Sequence, residues 1–149
     1  MIPADPAPAT SARQGRLRRM GPPAAVAALV VGASCAVLWA EPTTPGGPIP
    51  VCPTKALFGV VCPGCGALRM LSSLLQGDVG AAVRYNAVAL VASGLLLWSL
   101  VAWTAGRWRG SRVRSWQDLR FAPVTAGVVI ALWLVVRNIP VSPFSALAV

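Results

Sequence analysis

Long apolar runs that contain no charge alternate along this chain with short segments that contain arginine. The runs cover residues 24–40, 87–105 and 121–136. An α-helix rises about 1.5 Å per residue, so about 20 residues cross a hydrocarbon core of about 30 Å, and flanking residues can complete a shorter run. The pattern therefore predicts three transmembrane helices over these ranges.

A different pattern lies between the first two runs. Leucines recur at helical spacing over residues 67–76, at positions 68, 71, 74 and 75, and polar residues such as Ser72 and Ser73 occupy the opposite stripe. This spacing is typical of a short amphipathic helix that lies on a membrane surface or packs on the outer ends of the spans. Gly77 is suited to end this helix, and Asp78 to cap the next segment.

The residues outside these predicted helices form the tails and loops of the chain. We predict a disordered basic tail over 1–23, a cysteine-containing loop over 41–86, an arginine-rich loop over 106–120 and a C-terminal tail over 137–149. The first residues are rich in Ala and Pro and lack periodicity, which is typical of disorder.

Composition and charge favour a membrane protein. The chain is 56% hydrophobic and 11% charged, whereas soluble domains are roughly one-quarter charged. A net charge of +9 often indicates nucleic-acid binding. Here the arginines flank apolar runs instead of lining a polar face, so we expect the lipid bilayer as a partner and no nucleic acid.

The arginines also predict an orientation. Four precede the first run, and five lie between the second and third runs with a single acid: Arg107, Arg109, Arg112, Arg114 and Arg120. Short loops rich in Lys and Arg stay on the cytoplasmic side, where these five would contact anionic lipid. The N-terminus should then be cytoplasmic and the loop 41–86 extracytoplasmic. The expected fold is an all-α integral membrane protein with three transmembrane helices and a short amphipathic helix in an extracytoplasmic cysteine loop.

The first run could instead be a cleaved signal peptide. Cleavage favours small residues at −3 and −1, and Leu38 and Ala40 supply only one of them. A lipobox at Cys35 also fails, because Gly32 stands where Leu or Val is expected. We expect an uncleaved helix in which Cys35 is a small buried apolar residue.

Three of the four cysteines, Cys52, Cys62 and Cys65, lie in the predicted extracytoplasmic loop, and the chain has no histidine. Histidine-based metal sites, Cys-His pairs and Ser-His-Asp triads are therefore excluded within one chain. Pro63 and Gly64 separate Cys62 from Cys65, in a turn common to zinc knuckles, redox centres and structural staples.

This loop resembles the DUF2752 family, small bacterial integral membrane proteins without an assigned biochemical function. The resemblance is carried by Cys52, Pro53, Gly59, Cys62, Pro63, Gly64, Cys65, Gly66, Arg69, Leu74, Leu75, Gly77, Asp78, Ala82 and Asn86. Leu68 and Ala87 depart from the pattern, where the family usually has Thr and Pro, so no kink at Ala87 is implied. The end of the chain, residues 137–144, is similar to the ends of some relatives. The resemblance implies a location in the bacterial cytoplasmic (inner) membrane, and it implies no activity.

Four states of these cysteines stay open. A disulfide persists outside the cytoplasm, and Cys52 with Cys62 would close a short loop but leave an odd cysteine. Zinc is the candidate ion for a metal site, with a fourth ligand from Asp78, water or a second subunit; Cu(I) would accept three thiolates. In a redox centre, a helix start would lower the pKa of Cys62, and Cys52 would be the resolving thiol. The thiols could also pack free in a turn.

We expect a non-enzymatic membrane component whose cysteine cluster is structural, held by a disulfide or a metal, and which presents its loop to other membrane proteins or a second copy of the chain. The alternative is a thiol-disulfide redox or metal-handling protein that uses the same cysteines as its active group. Arg69, one helical turn past Cys65, is the charged residue that we expect to matter to the cysteines.

Overall fold

The computed structural model describes residues 9–44 and 52–139. This part of the chain is all-helical. The helices are α1 (Ala9–Ala40), α2 (Pro53–Phe58), α3 (Ala67–Leu75), α4 (Val79–Arg109) and α5 (Ala122–Arg137), with a 3-10 turn at Trp116–Asp118. Residues 45–51 of the predicted cysteine-containing loop and residues 140–149 of the predicted C-terminal tail lie outside the described residues.

The three long helices run antiparallel, because the contacts at their ends pair them in alternating directions. At one end, which we call the arginine end, the Arg107 Nε near the end of α4 donates to the carbonyl of Arg19 in the first half of α1, 2.6 Å away. At the other, the cysteine end, the last residue of α5, Arg137, donates to the carbonyl of Cys65. The loop that contains the cysteines therefore covers the end of α1, the start of α4 and the end of α5.

Two helices are long and apolar enough to cross a membrane, over Arg18–Ala40 and Val79–Arg109, and Ala122–Arg137 is a shorter apolar helix. Only 6% of the most apolar window of each long helix is buried within the chain. The apolar surface of these helices is therefore turned outward, unlike that of a core helix in a soluble protein.

The first helix differs from its prediction at the N-terminal end. It begins at Ala9, so residues 9–23 are helical where we expected a disordered tail. Four arginines and two alanines in this segment have high helix propensity and extend the helix beyond its apolar part. Cys35 was predicted to be buried and is exposed on α1, because the side chains around it face away from the other helices.

The fourth helix contains a break where its apolar part begins. Asn86 has φ −165° and ψ 90°, which divides α4 into a short entry segment and a long apolar one, although the residue after it is not proline. The predicted start of this span, residue 87, coincides with the break. The helix continues to Arg109, four residues beyond the predicted end, and Gly110 ends it with φ 71°.

The predicted amphipathic helix is present as α3, but the face that contains its serines, and not its leucine-rich face, packs against the other helices. Ser72 and Ser73 are buried together with Met70, whereas Leu68 and Leu75 are 45% and 42% exposed. Helix α3 contacts α1 and α4. Small serine side chains allow close approach of helices, Leu71 and Leu74 are half-buried, and Leu68 and Leu75 remain on the outer side, where an interfacial helix meets lipid.

Candidate functional site

Three cysteines meet at the cysteine end of the bundle. The sulfur atoms of Cys52, Cys62 and Cys65 all lie within 4.8 Å of one another, and we call this group the cysteine cluster. The Cys52 and Cys62 Sγ atoms are 3.5 Å apart, and those of Cys62 and Cys65 are 2.9 Å apart. Cys65 is buried, and the other two are partly exposed.

The short helix α2 positions Cys52. Pro53 occupies the first turn of α2, where a missing N–H costs little, and the carbonyl of Cys52 accepts from the Ala56 N–H at 2.9 Å. Gly59 ends α2 in the left-handed conformation, with φ 66°, and its N–H donates to the Lys55 carbonyl. The chain then turns back and brings Cys62 next to Cys52.

A tight turn brings Cys62 and Cys65 together. The Cys65 N–H donates to the Cys62 carbonyl at 3.1 Å, and Gly66 follows with φ 78°. A Cβ atom on Gly66 would lie 2.7 Å from the carbonyl oxygen of Tyr85 on α4, so this position requires glycine. Gly64 has no such restriction, since the nearest atom to its Cβ position is the Cys62 Sγ at 3.9 Å.

Asn86 ties the turn to α4. Its fully buried side chain donates from Nδ2 to the carbonyls of Pro63 at 2.8 Å and Cys65 at 3.1 Å. Its Oδ1 accepts from the Ala89 N–H at 2.9 Å, which is an N-cap on the long apolar segment of α4. The break at Asn86 thus directs its side chain toward the cysteine turn. It also gives the Ala89 N–H, which has no partner within the helix, an acceptor.

The cation beside the cluster is Arg137, not Arg69. Arg137 is 1% exposed and donates to the carbonyls of Cys65 and Tyr85, with its guanidinium 5.6 Å from the Trp133 ring centroid. Arg69 instead donates from Nε to the carbonyl of Pro42 at 3.0 Å, which joins α3 to the end of α1. In this contact Arg69 is directed toward the end of α1, and its predicted importance to the cysteines stays a prediction.

Asn138 forms a second link between the end of α5 and the cysteine loop. It accepts from the Val61 N–H and donates to the Val61 carbonyl, both at 2.9 Å, in the manner of a paired strand. Val61 directly precedes Cys62. No local pattern points to Arg137 or Asn138 as partners of the cysteine loop; the signal in the sequence is the similarity of residues 137–144 to the ends of family relatives.

The cluster contains thiols of very different acidity. Hydrogen bonds from the Thr54 hydroxyl and backbone N–H, and then from Cys62 and Cys65, lower the pKa of Cys52 to about 6. Burial, followed by contact with Cys62, raises the pKa of Cys65 to about 11. The lowered pKa therefore belongs to Cys52, and Thr54, which lies 3.0 Å from the Cys52 sulfur, is its main cause.

The three sulfurs could hold a metal ion, since each offers one ligand atom. The described residues add no carboxylate to this group. Asp78, one of the fourth ligands we considered, caps α4 with its Oδ1 2.8 Å from the Ala81 N–H. Among the other motif residues, Gly77 follows α3 with φ 84°.

The five loop arginines lie at the arginine end. Arg112 forms an exposed ion pair with Asp118 at 3.3 Å, a contact worth little in water. The guanidiniums of Arg107 and Arg120 each lie 5.6 Å from an aromatic ring centroid, those of Trp103 and Phe121. Arg109 and Arg114 are exposed.

Comparison with known proteins gives one result. No curated protein and no solved structure matches this chain. The model of a family described as a protein of unknown function, DUF2752, matches residues 52–100, which include the cysteine cluster, α3 and the break at Asn86. The resemblance of the cysteine loop is thus confirmed, and this chain has a DUF2752 segment over residues 52–100.

Proposed function

We propose that this chain is a three-span membrane protein whose cysteine cluster binds one soft metal ion, Zn²⁺ or Cu⁺, on the extracytoplasmic side. The orientation is supported by the arginines that collect at one end of the helices, since loops rich in arginine stay cytoplasmic. The third span would be α5, which is short and would be completed at its start by the exposed Arg120.

The observation that carries the proposal is the convergence of three sulfurs. Cys52, Cys62 and Cys65 come from two separate turns, yet their Sγ atoms lie within 4.8 Å of one another. A disulfide needs two sulfurs and leaves the third without use. Three thiolates around one point form the donor set that Cu⁺ accepts directly and that Zn²⁺ completes with one further ligand.

The distances fit such an ion after a small adjustment. Zn–S bonds of about 2.3 Å place two sulfurs of one tetrahedral site roughly 3.8 Å apart. The Cys52 to Cys62 distance of 3.5 Å is close to this value, and the Cys62 to Cys65 distance of 2.9 Å would have to widen. A χ1 rotation of the partly exposed Cys62 supplies that movement.

The same triangle argues against thiol-disulfide exchange within the cluster. A thiolate attacks a disulfide nearly in line with the S–S bond. Sides of 3.5 and 2.9 Å with a third side of at most 4.8 Å leave an angle at the Cys62 sulfur of little more than a right angle. Cys52 is therefore badly placed to attack a Cys62–Cys65 disulfide.

A bound metal ion would hold the cysteine turns to one another and to the helix ends beneath them. Through Asn86, Arg137 and Asn138, the cysteine turns already contact α4 and α5. A metal that joins Cys52 to this turn would also fix α2, and an exposed coordination position would remain for a partner or an exchanging ligand.

A structural disulfide between Cys62 and Cys65 is the second candidate, favoured by the 2.9 Å between their sulfurs. It would form by loss of two protons and two electrons to a thiol oxidant of the extracytoplasmic space. Cys52 would then remain a free thiol.

Labelling with a membrane-impermeant maleimide distinguishes the candidates. On intact cells that produce the Cys35→Ser chain, metal binding predicts that Cys52 and Cys62 are labelled only after chelation. A disulfide predicts that Cys52 alone is labelled at first and that Cys62 is labelled only after reduction; the buried Cys65 stays unlabelled in both cases. Metal analysis of the purified chain should give one ion per chain, and none for a Cys62→Ser chain. Labelling of both Cys52 and Cys62 without chelator or reductant would contradict both candidates, and labelling from the cytoplasmic side alone would reverse the orientation.

A further inference from the structure

A cavity of about 520 Å³ lies at the arginine end, remote from the cysteine cluster. The last turns of α4, Arg19 of α1 and the loop 111–118 enclose it. We propose that this basic pocket binds the phosphate of an anionic phospholipid head group from the adjacent leaflet.

The charges that line the pocket suit a phosphate. Three guanidiniums, those of Arg19, Arg107 and Arg112, line it together with one carboxylate, that of Asp118. Guanidinium groups bind phosphate oxygens with paired, charge-assisted hydrogen bonds. The hydroxyl of Ser111 adds a neutral donor to the same wall.

The wall of the pocket is preformed. The indole N–H of Trp116 donates to the Ser99 Oγ at 2.7 Å and the Leu95 carbonyl at 3.0 Å, which anchors the loop on α4. Ser115 and Asp118 form a reciprocal capping box around Trp116. A site that is ordered before its ligand arrives loses little entropy on binding.

Glycines allow the loop to fold back this closely. A Cβ atom on Gly106 would lie 2.8 Å from the Ser111 carbonyl oxygen, and one on Gly110 would lie 3.1 Å from a guanidinium nitrogen of Arg19. The pocket therefore forms only when the C-terminal end of α4 lies close both to the loop 111–118 and to Arg19.

The surroundings favour a lipid over a soluble phosphate. Ala102, Trp103 and Val113 contribute an apolar part of the lining, and Trp103 is exposed, with the Arg107 guanidinium against its ring. Tryptophan and arginine together at the end of an apolar helix mark the head-group level of a bilayer. Leu96 lies two turns before Trp103 on the same face of α4, and its exposed side chain offers a path for an acyl chain.

Native mass spectrometry of the detergent-purified full chain tests this site with phosphatidylglycerol and phosphatidylcholine as probes. We expect wild type to retain phosphatidylglycerol preferentially. Replacing Arg19→Gln and Arg107→Gln together should weaken that retention about tenfold or more, since each basic residue near the head groups contributes measurably. Replacing Arg109→Gln and Arg114→Gln removes the same charge outside the pocket and should change retention less than about twofold.

Three outcomes would overturn the proposal. Equal losses in the two double variants would mean a diffuse charge effect. Displacement of the lipid by millimolar inorganic phosphate would assign the pocket to a soluble phosphate. If the pocket double variant does not fold, Ser111→Glu places a carboxylate in the pocket and keeps every arginine, and wild-type lipid retention by this variant would show that the pocket does not bind the phosphate.

Discussion

Arg137 shows how a single residue can change its role once the chain is folded. In the sequence it brackets an apolar run, and arginines in that position usually extend to the interface. In the structure it is 1% exposed and donates to carbonyls 72 and 52 residues away along the chain, those of Cys65 and Tyr85. Arg137 therefore holds the turn that contains Cys62 and Cys65, through its hydrogen bond to the Cys65 carbonyl, and so positions part of the cluster that we propose binds a metal.

The acidity of Cys52 leads to a prediction at the same scale. In the metal-free, reduced chain with Cys35→Ser, we expect one thiol to react with iodoacetamide at a rate that rises with pH up to about 6 and is constant above it, because the thiolate is the nucleophile and the pKa of Cys52 is about 6. Reactivity at pH 7 should thus exceed that of an ordinary thiol and fall as the pH drops through 6. The rate is measured by quenching the alkylation at set times over a series of pH values and quantifying the modified Cys52 peptide by mass spectrometry.

Thr54→Val tests whether the Thr54 hydroxyl is what lowers the pKa of Cys52. It removes the hydroxyl that contributes most to the lowered pKa, so the reactivity midpoint should move up toward the ordinary value of 9.0. Cys65, with a pKa raised to about 11, should stay unreactive between pH 5 and 8 in both chains. A midpoint that is the same with and without the Thr54 hydroxyl would contradict this assignment.

At the scale of elements, the cysteine turn depends on close contact between the start of α3 and the entry segment of α4. We expect Gly66→Ala to lower the free energy of unfolding by on the order of 1–3 kcal/mol, because a side chain there is strained at φ 78° and its Cβ would lie 2.7 Å from the Tyr85 carbonyl oxygen. Tryptophan fluorescence during denaturation in detergent measures this change.

Gly64→Ala is the matched control two residues away. Its Cβ would make an ordinary contact of 3.9 Å with the Cys62 sulfur, so its effect on stability should be within about 0.5 kcal/mol. Equal destabilisation by the two substitutions would mean that the turn does not pack on α4 as described.

For helix α3, the leucine spacing predicted the helix itself but not which of its faces packs against the other helices. Leucine spacing predicted residues 67–76 as helical, and the structure has a helix at Ala67–Leu75. The inward face, however, consists of Met70, Ser72 and Ser73. Near a bilayer both faces have apolar surroundings, so the hydrophobic effect does not decide which face packs, and the fit of small side chains against α1 and α4 does.

At the scale of the whole molecule, α1 is joined to the other helices at both ends. The Arg19 carbonyl accepts from Arg107 at the arginine end, and the Pro42 carbonyl accepts from Arg69 at the cysteine end. We therefore predict that α1 remains part of the mature chain. Intact mass measurement of the membrane-extracted protein should show species that include residues 18–40, and a dominant species that begins at Glu41 would mean that α1 is a cleaved signal.

The sequence alone determined the apolar helices and the DUF2752 segment, because apolar length, helical spacing and a motif of closely spaced residues are local properties of the chain. The break at Asn86 is seen only in the structure. Only the tertiary structure decided that Arg137 and Asn138 complete the cysteine end and that Arg19 meets the loop 111–118. The contacts at the cysteine end join positions as many as 77 residues apart, and Arg19 meets Arg107 across 88 residues. Which of the chemically similar arginines approaches the cysteines depends on how three antiparallel helices are placed. No local pattern encodes that placement, since it results from packing between small side chains and from buried polar groups that must find partners.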